Sequence, residues 1–347
     1  MRTLVVDPGI DFSVGDVFRG LCKGLNNTGA TVASFSTADR IRALTSCQIT
    51  QDDGLQREAF DIPAAFNMTN QMMRGAVLDT DPDLVVIVSG FFITEISLQV
   101  LRARRPKIVA VMTEQPYELA RELWLASFCD GVALNDPTHI DKFREVCPNV
   151  WYQPHGFDPD VHYPGDGTHD FDAWWCGTGY PSRCDWLETA VADPRWPADA
   201  RVGLAGNWLP LKDRPDSPLH RYVLADDLEH CVQNTDTAEG YRRTAMSWNT
   251  YRKEAEAPEL ADGWAMGPRE VELAACGTFF ARESRGEGDE LFPMLPILTD
   301  PGELGDVLRW SIDHPDARAD AALKAREAVA DRSFDRTAAE LLRRAGF

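Results

Sequence analysis

Short, continuous runs of apolar residues constrain the fold of this chain more than any other feature of its sequence. Residues 84–88 read Leu-Val-Val-Ile-Val, and similar runs occupy residues 4–6, 108–112 and 131–134. A strand without polar alternation is buried on both faces, as in a parallel sheet that helices cover on each side. Segments with a helical pattern separate these runs. The sequence therefore predicts a doubly wound α/β domain over residues 1–155.

The alternation of strand and helix returns after residues 156–170, a segment rich in proline and glycine that predicts a linker. Residues 171–331 then form a second α/β domain, and residues 332–347 a C-terminal helix that can cross back to the N-terminal domain. The strands predicted in the second domain include residues 173–176, 202–205 and 296–298. A length of 347 residues suits two domains. Two Rossmann-like domains that face a cleft are the simplest architecture, with ligands at the carboxyl ends of the strands.

Composition disfavours several classes of function. The net charge is −20 and the chain has no long basic run, which disfavours a nucleic-acid partner. The apolar start at residues 4–6 is too short for a signal peptide, and no apolar run approaches the length of a membrane span. The eight cysteines include no C-x-x-C pair, and the seven histidines have no metal-ligand spacing. The sequence predicts reduced thiols, no bound metal and a cytoplasmic location.

A glycine-containing turn follows the first predicted strand of the second domain. Gly177, Thr178 and Gly179 stand where a strand meets its helix, and Arg183 follows four residues later. Glycine lets a backbone approach a phosphate closely, and an arginine neutralises a diphosphate. The dinucleotide fingerprint is absent, because Ser182 replaces its third glycine. The motif predicts either a nucleotide loop or a plain tight turn.

A second motif, residues 267–277, predicts a short helix. Pro268 suits its first turn and Gly277 its left-handed stop. Arg269 and Glu272 share one face near the helix start, where free N–H groups and the helix dipole favour anions. The arginine can hold a phosphate and the glutamate can accept hydrogen bonds from a ribose diol. The alternative is a surface ion pair on an ordinary helix.

Three polar residues follow predicted strands of the first domain and are candidates for a catalytic role. Asp16 follows the first glycine-containing loop, Glu114 ends the strand at residues 108–112, and His155 ends the last strand of the domain. Each can act as a base or an acceptor ligand, and each can instead be a helix cap or a turn residue. The D-x-D pairs of the chain precede strands or lie in the linker, which favours solvated turns over a metal site.

Several segments occur in the order found in one known family. They are Thr113-Glu114, Asn135-Asp136, Pro154-His155-Gly156-Phe157-Asp158, Cys176-Gly177-Thr178-Gly179-Tyr180-Pro181, Ala205-Gly206-Asn207-Trp208, Arg269-Glu270-Val271-Glu272-Leu273-Ala274-Ala275-Cys276-Gly277, Glu290-Leu291-Phe292 and Ser333-Phe334-Asp335-Arg336. In these segments the chain resembles the CgeB-type (spore maturation protein-like) group 1 glycosyltransferases. That family has the GT-B fold and is also common in phage genomes. The resemblance covers most of residues 105–345.

The resemblance implies a nucleotide-sugar donor bound mainly by the C-terminal domain, with the N-terminal domain on the acceptor side. Glu272 matches the glutamate that holds the donor ribose, and Arg269 matches the basic residue before it. The other donor-binding residues that the resemblance and the motifs indicate are Gly177, Thr178, Gly179, Arg183, Asn207, Asn249 and Arg252. The chain departs from related enzymes at Trp264, where they carry a second glutamate.

The activity implied is that of a hexosyltransferase-type glycosyltransferase that retains the anomeric configuration and requires no metal. The leaving diphosphate can then take the acceptor proton itself, and stabilisation of its charge carries the chemistry. The acceptor stays open among proteins, glycans and small molecules. Three alternatives also stay open: a nucleotide-sugar-binding scaffold without turnover, a sugar-nucleotide 2-epimerase, and a nucleic-acid base glycosyltransferase.

Overall fold

A computed structural model of the protein describes residues 1–10, 14–50, 54–225 and 228–347. These residues divide into two compact units. The first unit combines Met1–Pro154 with Phe334–Phe347, and the second comprises His155–Ser333. The residues that the sequence assigns to a linker, 156–170, lie in the second unit.

The first unit contains a six-stranded parallel sheet with the order β2-β1-β5-β6-β7-β8. Its strands are β1 (Arg2–Val6), β2 (Thr31–Phe35), β5 (Leu84–Val88), β6 (Lys107–Met112), β7 (Gly131–Leu134) and β8 (Val150–Tyr152). Two short strands, β3 (Gln48–Thr50) and β4 (Gln56–Glu58), form a separate antiparallel pair. The helices between these strands are α1 (Gly15–Asn27), α2 (Thr37–Thr45), α3 (Ile62–Thr80), α4 (Glu95–Arg104), α5 (Leu119–Ala126) and α6 (Ile140–Arg144).

The second unit contains a four-stranded parallel sheet with the order β10-β9-β11-β12. Its strands are β9 (Phe171–Cys176), β10 (Val202–Ala205), β11 (Thr244–Asn249) and β12 (Phe279–Arg282). Its helices are α7 (Pro181–Ala192), α8 (Asn234–Arg242), α9 (Pro268–Ala275), α10 (Gly286–Leu291), α11 (Glu303–Asp313) and α12 (Pro315–Ala328). The strand predicted at residues 296–298 is wrong, because Ile297 makes only an isolated bridge to Arg282.

Apolar residues cover both faces of the first sheet, as the unbroken apolar runs predict. Every residue of β5 is buried. On one face Val85 and Ile87 pack in a cluster with residues of α3, α4 and α5. On the other face Val86 and Val88 pack with Leu21 of α1. The chain is doubly wound because helices on both faces must cover a sheet of this kind.

The last helix, α13 (Phe334–Ala345), belongs to the first unit and packs on α1. Two glycines of α1 make the close approach possible. A Cβ on Gly20 would lie 2.1 Å from the Phe334 ring, and one on Gly24 would lie 2.5 Å from the Phe334 carbonyl oxygen. Ala338 and Leu341 of α13 join the cluster beneath the sheet. The C-terminal helix therefore completes the hydrophobic core of the first unit.

Candidate functional site

The candidate site lies where the strand order of the second sheet changes direction. β10 lies on one side of β9, and β11 lies on the other. The connection from β9 to β10 and the connection from β10 to β11 therefore run in opposite directions across the sheet. In open α/β sheets, ligands bind at such a switch point, beyond the carboxyl ends of the strands. β9 ends at Cys176 and β11 ends at Asn249. The residues at these two strand ends define the candidate site.

Arg269 joins the two strand ends. Its Nε and Nη2 atoms donate to the carbonyl oxygen of Cys176, at 3.1 and 2.7 Å, and its Nη1 donates to Oδ1 of Asn249 at 2.7 Å. The guanidinium carbon lies 4.4 Å from the ring centroid of Trp175. A cation on an aromatic face is held by the charge distribution of the ring. The arginine is thus fixed at the switch point. Among the described residues it forms no ion pair with Glu272, the alternative that the sequence left open.

The start of α9 sets the position of Arg269. The backbone N–H of Gly267 donates to Oε2 of Glu270 at 2.8 Å, and the Tyr251 hydroxyl donates to the same oxygen. Pro268 occupies the first helical position, where no backbone donor is required. Burial raises the pKa of the Glu270 carboxyl to about 7. These contacts hold the helix start against the loop that follows β11.

Glycine is required where the strand-end loops meet. A Cβ on Gly177 would lie 2.2 Å from Nη2 of Arg269. A Cβ on Gly206, whose φ is +99°, would lie 2.3 Å from the Gly177 carbonyl oxygen. The N–H of Gly179 donates to the carbonyl of Asn207 at 2.7 Å, and Oδ1 of Asn207 accepts a bond within its own turn. Asn207 therefore shapes the loop through its backbone.

Further cations lie beside the loop that follows β9. Arg183 donates from Nε to the Thr250 carbonyl at 3.0 Å and from Nη1 to the Thr178 carbonyl at 2.9 Å. Arg252 donates to the Tyr180 hydroxyl at 3.4 Å. Its guanidinium carbon lies 5.8 Å from the centroid of that ring. The structure thus brings Arg183 and Arg252 to the same loop through Thr178, Tyr180 and the backbone after β11.

Two buried polar atoms at the end of β11 have no protein hydrogen-bond partner among the described residues. They are Nδ2 of Asn249 and Oγ1 of Thr250, and both side chains are only 3% exposed. Buried polar groups in native proteins are nearly always paired with protein, water or a ligand. Nδ2 of Asn249 would lie 3.8 Å from a Cβ on Gly267, at the start of α9. A donor at a helix start suits an anionic ligand.

Glu272 lies one turn along α9 and is 7% exposed. Its Oε1 accepts a hydrogen bond from Nδ2 of Asn234 at 3.1 Å, and Nε2 of His162 lies 3.8 Å from the same oxygen. Burial raises the pKa of the Glu272 carboxyl to about 7. The sequence did not point to His162 or Asn234, because neither lies in a motif and only the fold brings them to α9.

Trp264 lies at the position where the family resemblance leads one to expect a second glutamate. Its side chain is half-buried, and a Cβ on Gly286 would lie 2.3 Å from its ring atoms. Its carbonyl oxygen accepts the N–H of Glu287 at 3.0 Å. The indole therefore packs on the start of α10, which contains two glycines.

In the first unit, Glu114 lies in the loop after β6, and the buried carboxyl of Glu122 stabilises this loop. Glu122 accepts the N–H of Glu114 at 3.0 Å and Nε2 of Gln115 at 2.7 Å. Asn135, after β7, exchanges two hydrogen bonds with the Gln115 backbone. Burial raises the pKa of Glu122 to about 8. The sequence missed Glu122, because an isolated glutamate in a helix carries no signal of its burial.

The other two predicted catalytic residues follow different strands from Glu114. Asp16 lies in the first turn of α1, after β1, and β5 lies between β1 and β6. The loop residues 11–13, part of the predicted glycine-containing loop, lie outside the described residues. His155 is half-buried and opens the second unit. The catalytic assignments of Asp16, Glu114 and His155 stay predictions.

The ranges described above contain neither a membrane-spanning helix nor a metal-ligand cluster. Within those ranges no helix has the length and apolar character that a membrane crossing requires. Within the same ranges no three His, Cys, Asp or Glu side chains are grouped as a metal site.

The chain is similar to known proteins in one family model and in its fold. Residues 183–343 match the model of a family described as "Glycosyl transferase-like". No curated protein sequence matches the chain. Similar solved structures include sucrose-phosphate synthase from Thermosynechococcus elongatus, 14% identical with a TM-score of 0.65, covering 99% of this chain and 98% of that chain. Anabaena HepE in complex with UDP-glucose is 15% identical with a TM-score of 0.64, covering 99% of each chain.

A third similar structure is a putative UDP-N-acetylglucosamine 2-epimerase from Listeria monocytogenes. It is 10% identical with a TM-score of 0.61, and the alignment covers 98% of this chain and 94% of that chain. The protein has a GT-B-like fold. This confirms the predicted class, mixed α/β with two Rossmann-like domains.

Proposed function

We propose that the protein is a glycosyltransferase that moves a sugar from a nucleotide-diphosphate sugar to an acceptor. The observation that carries the proposal is Arg269, which joins the ends of β9 and β11 at the switch point of the second sheet. The unpartnered polar atoms of Asn249 and Thr250 lie at the same strand end. Support also comes from the family match over residues 183–343 and from the UDP-glucose complex of HepE.

In the proposed donor site, the diphosphate binds at the switch point and the ribose binds to Glu272. Arg269 and Arg183 supply positive charge, and Asn249 supplies a buried donor. Glu272 has one oxygen held by Asn234, and its carboxylate accepts the ribose hydroxyls. The diphosphate lies along the backbone of Gly177, Thr178 and Gly179. Arg252 adds positive charge beside Tyr180.

The proposed reaction breaks the bond between the anomeric carbon and the diphosphate oxygen and forms one to an acceptor hydroxyl oxygen. The guanidinium groups stabilise the negative charge that develops on the leaving diphosphate, a role that metal-dependent enzymes give to a cation. In the retaining form of the reaction, the acceptor proton passes to the leaving phosphate oxygen. Asp16, Glu114 and His155 are proposed as groups that bind or orient the acceptor. The hexosyl donor and the CgeB-type, phage-related subgroup are part of this proposal.

Isothermal titration with a panel of nucleoside diphosphates and nucleotide sugars tests the donor site. We expect wild-type protein to bind at least one member of the panel, and Glu272→Ala to bind it at least about tenfold more weakly, since hydrogen bonds to charged groups contribute about 1.5–3 kcal/mol. Glu327→Ala, an exposed position on α12, is the matched control and should bind as wild type does. Folding of each variant is checked by its thermal unfolding midpoint.

A silent panel with folded wild-type protein would exclude a nucleotide-sugar donor. Unchanged affinity in Glu272→Ala would show that the ribose site is misassigned. Proton NMR of a bound nucleotide sugar without acceptor distinguishes the reactions. Slow hydrolysis supports transfer, whereas interconversion of two sugars would identify a 2-epimerase, the activity in the name of one similar structure. Binding with no turnover under any condition would identify a scaffold.

A further inference from the structure

His162 is a buried histidine that faces the carboxyl assigned to the ribose. It is 3% exposed, and its Nε2 lies 3.8 Å from Oε1 of Glu272. The turn that carries it is closed by the His162 N–H, which donates to the Asp158 carbonyl at 2.7 Å. Asn234 bonds the same carboxyl oxygen from α8. An imidazole and a carboxyl enclosed together at this distance interact strongly, because little water screens them.

The other ionisable groups around Glu272 do not exchange a proton with it near neutral pH. Arginine side chains do not take up or release a proton in this range, and Arg269 is bound to the ends of β9 and β11. Burial raises the pKa of the Cys276 thiol to about 12, and it also raises the pKa of the Cys176 thiol and the Tyr241 hydroxyl. These groups keep their protons. An imidazole is the side chain that gains or loses a proton in this range.

We infer that His162 is a positioning residue that keeps the Glu272 proton within the buried pair when the donor binds. The inference rests on the proposed function. The two ribose hydroxyls each donate a hydrogen bond, and Glu272 offers both of its oxygens as acceptors only as a carboxylate. The proton then leaves the carboxyl oxygen for an imidazole nitrogen of His162, and the imidazolium remains beside the carboxylate. No proton passes to solvent, and donor affinity stays nearly constant across neutral pH.

His162→Gln tests the inference, because glutamine keeps a polar side chain but cannot hold a proton. The probe is the nucleotide sugar that binds wild-type protein best, because its diphosphate is esterified at both ends and does not titrate near neutral pH, unlike the terminal phosphate of a nucleoside diphosphate. Titrations at pH 6, 7 and 8, each in two buffers of different ionisation enthalpy, give the number of protons released on binding. We expect wild type to release close to none at each pH. His162→Gln should release close to one at pH 6 and lose affinity by up to about tenfold per pH unit below the Glu272 pKa.

His169→Gln is the matched control, a half-buried histidine of the same unit outside the site. It should match wild type in affinity and proton count. A direct reading comes from the ring C–H resonance of His162 in wild-type protein, which should move to the imidazolium position when the nucleotide binds. That measurement requires no substitution at His162, so it holds if His162→Gln fails to fold.

Two results would overturn the inference while leaving the proposed function intact. One is equal proton release by wild type and His162→Gln at every pH. The other is a nucleotide that binds without any change at the His162 resonance. If no nucleotide binds wild-type protein at any pH, the proposed function itself fails and takes this inference with it.

Discussion

Glu122, Glu270 and Glu272 are three carboxyl groups that the protein encloses. Burial raises the pKa of each, to about 8 for Glu122 and about 7 for the other two. Each accepts a hydrogen bond from a backbone or amide N–H. Enclosing a carboxyl lowers stability unless its hydrogen bonds compensate. At the residue scale, each of these side chains fixes a strand-end loop or a helix start in place at some cost in stability.

Glu122→Gln tests that cost. The folded-state pKa of Glu122 lies above its ordinary value of 4.5, so the folded protein holds this proton more tightly than the unfolded chain. The contribution of Glu122 to the free energy of unfolding therefore falls as pH rises from about 5 to 8. Glutamine does not titrate and accepts the Glu114 N–H as before. We therefore expect the free energy of unfolding of Glu122→Gln, relative to that of wild type, to rise by at least about 1.4 kcal/mol over this pH range. That rise is the equivalent of one pKa unit.

Amide hydrogen exchange of β6 and β7 at pH 5 and pH 8 measures this difference within the first unit. Glu145→Gln, exposed in the same unit, serves as the control and should show no pH-dependent gain. If Glu122→Gln and wild type kept a constant difference across pH, Glu122 would not titrate with a raised pKa.

At the scale of elements, the long apolar strands and their helices follow from sequence pattern, and the short elements do not. The predicted strands at residues 84–88, 131–134 and 202–205 have the bounds observed for β5, β7 and β10. The pair β3 and β4 went unpredicted because all its residues are exposed and carry no apolar alternation. Helix α10 went unpredicted because two of its six residues are glycine, which disfavours a helix. Contacts with Trp264 and Arg282 stabilise it instead.

The packing of α13 on α1 predicts an effect confined to the first unit. Phe334→Ala removes a ring that is 4% exposed and lies over Gly20. We expect the free energy of unfolding of the first unit to fall by about 3–5 kcal/mol, the usual loss for a buried phenylalanine. Phe347→Ala removes the same side chain from an exposed position, 49% exposed, and should change stability by less than about 0.5 kcal/mol.

Hydrogen exchange of α1 reports the loss, and exchange of β9 and β11 reports the second unit. Phe334→Ala should accelerate exchange in α1 while β9 and β11 keep their protection. Equal effects of Phe334→Ala and Phe347→Ala would show that α13 does not complete the core of the first unit.

At the scale of the whole molecule, acidic residues outnumber basic ones, yet three arginines lie where the donor is proposed to bind. The chain carries a net charge of −20, yet Arg269, Arg183 and Arg252 meet near the switch point of the second sheet. In the proposed function, these guanidinium groups hold the anionic donor. The net negative charge of the chain disfavours a nucleic acid as acceptor.

Removal of metal ions tests whether these arginines suffice. Protein treated with EDTA should bind its nucleotide with an affinity within about twofold of untreated protein, because guanidinium groups supply the charge. Arg269→Ala should bind at least about tenfold more weakly, since it removes charge-assisted hydrogen bonds of about 1.5–3 kcal/mol. Titration calorimetry measures both, with Arg326→Ala on α12 as the control. Loss of binding in EDTA with recovery in magnesium would contradict a metal-independent site.

The sequence by itself determined the α/β class, the bounds of β5, β7 and β10, and the two motifs at residues 176–183 and 267–277, because apolar runs, prolines and glycines act locally. Only the tertiary structure decided which side chains meet. Arg269 spans two strand ends that are 73 residues apart, Cys176 and Asn249. His162 and Asn234 reach Glu272 from distant segments. Contacts of this kind depend on strand order and helix packing, which a local sequence pattern does not encode. Burial in the folded protein then shifts the pKa of the ionisable groups at these contacts.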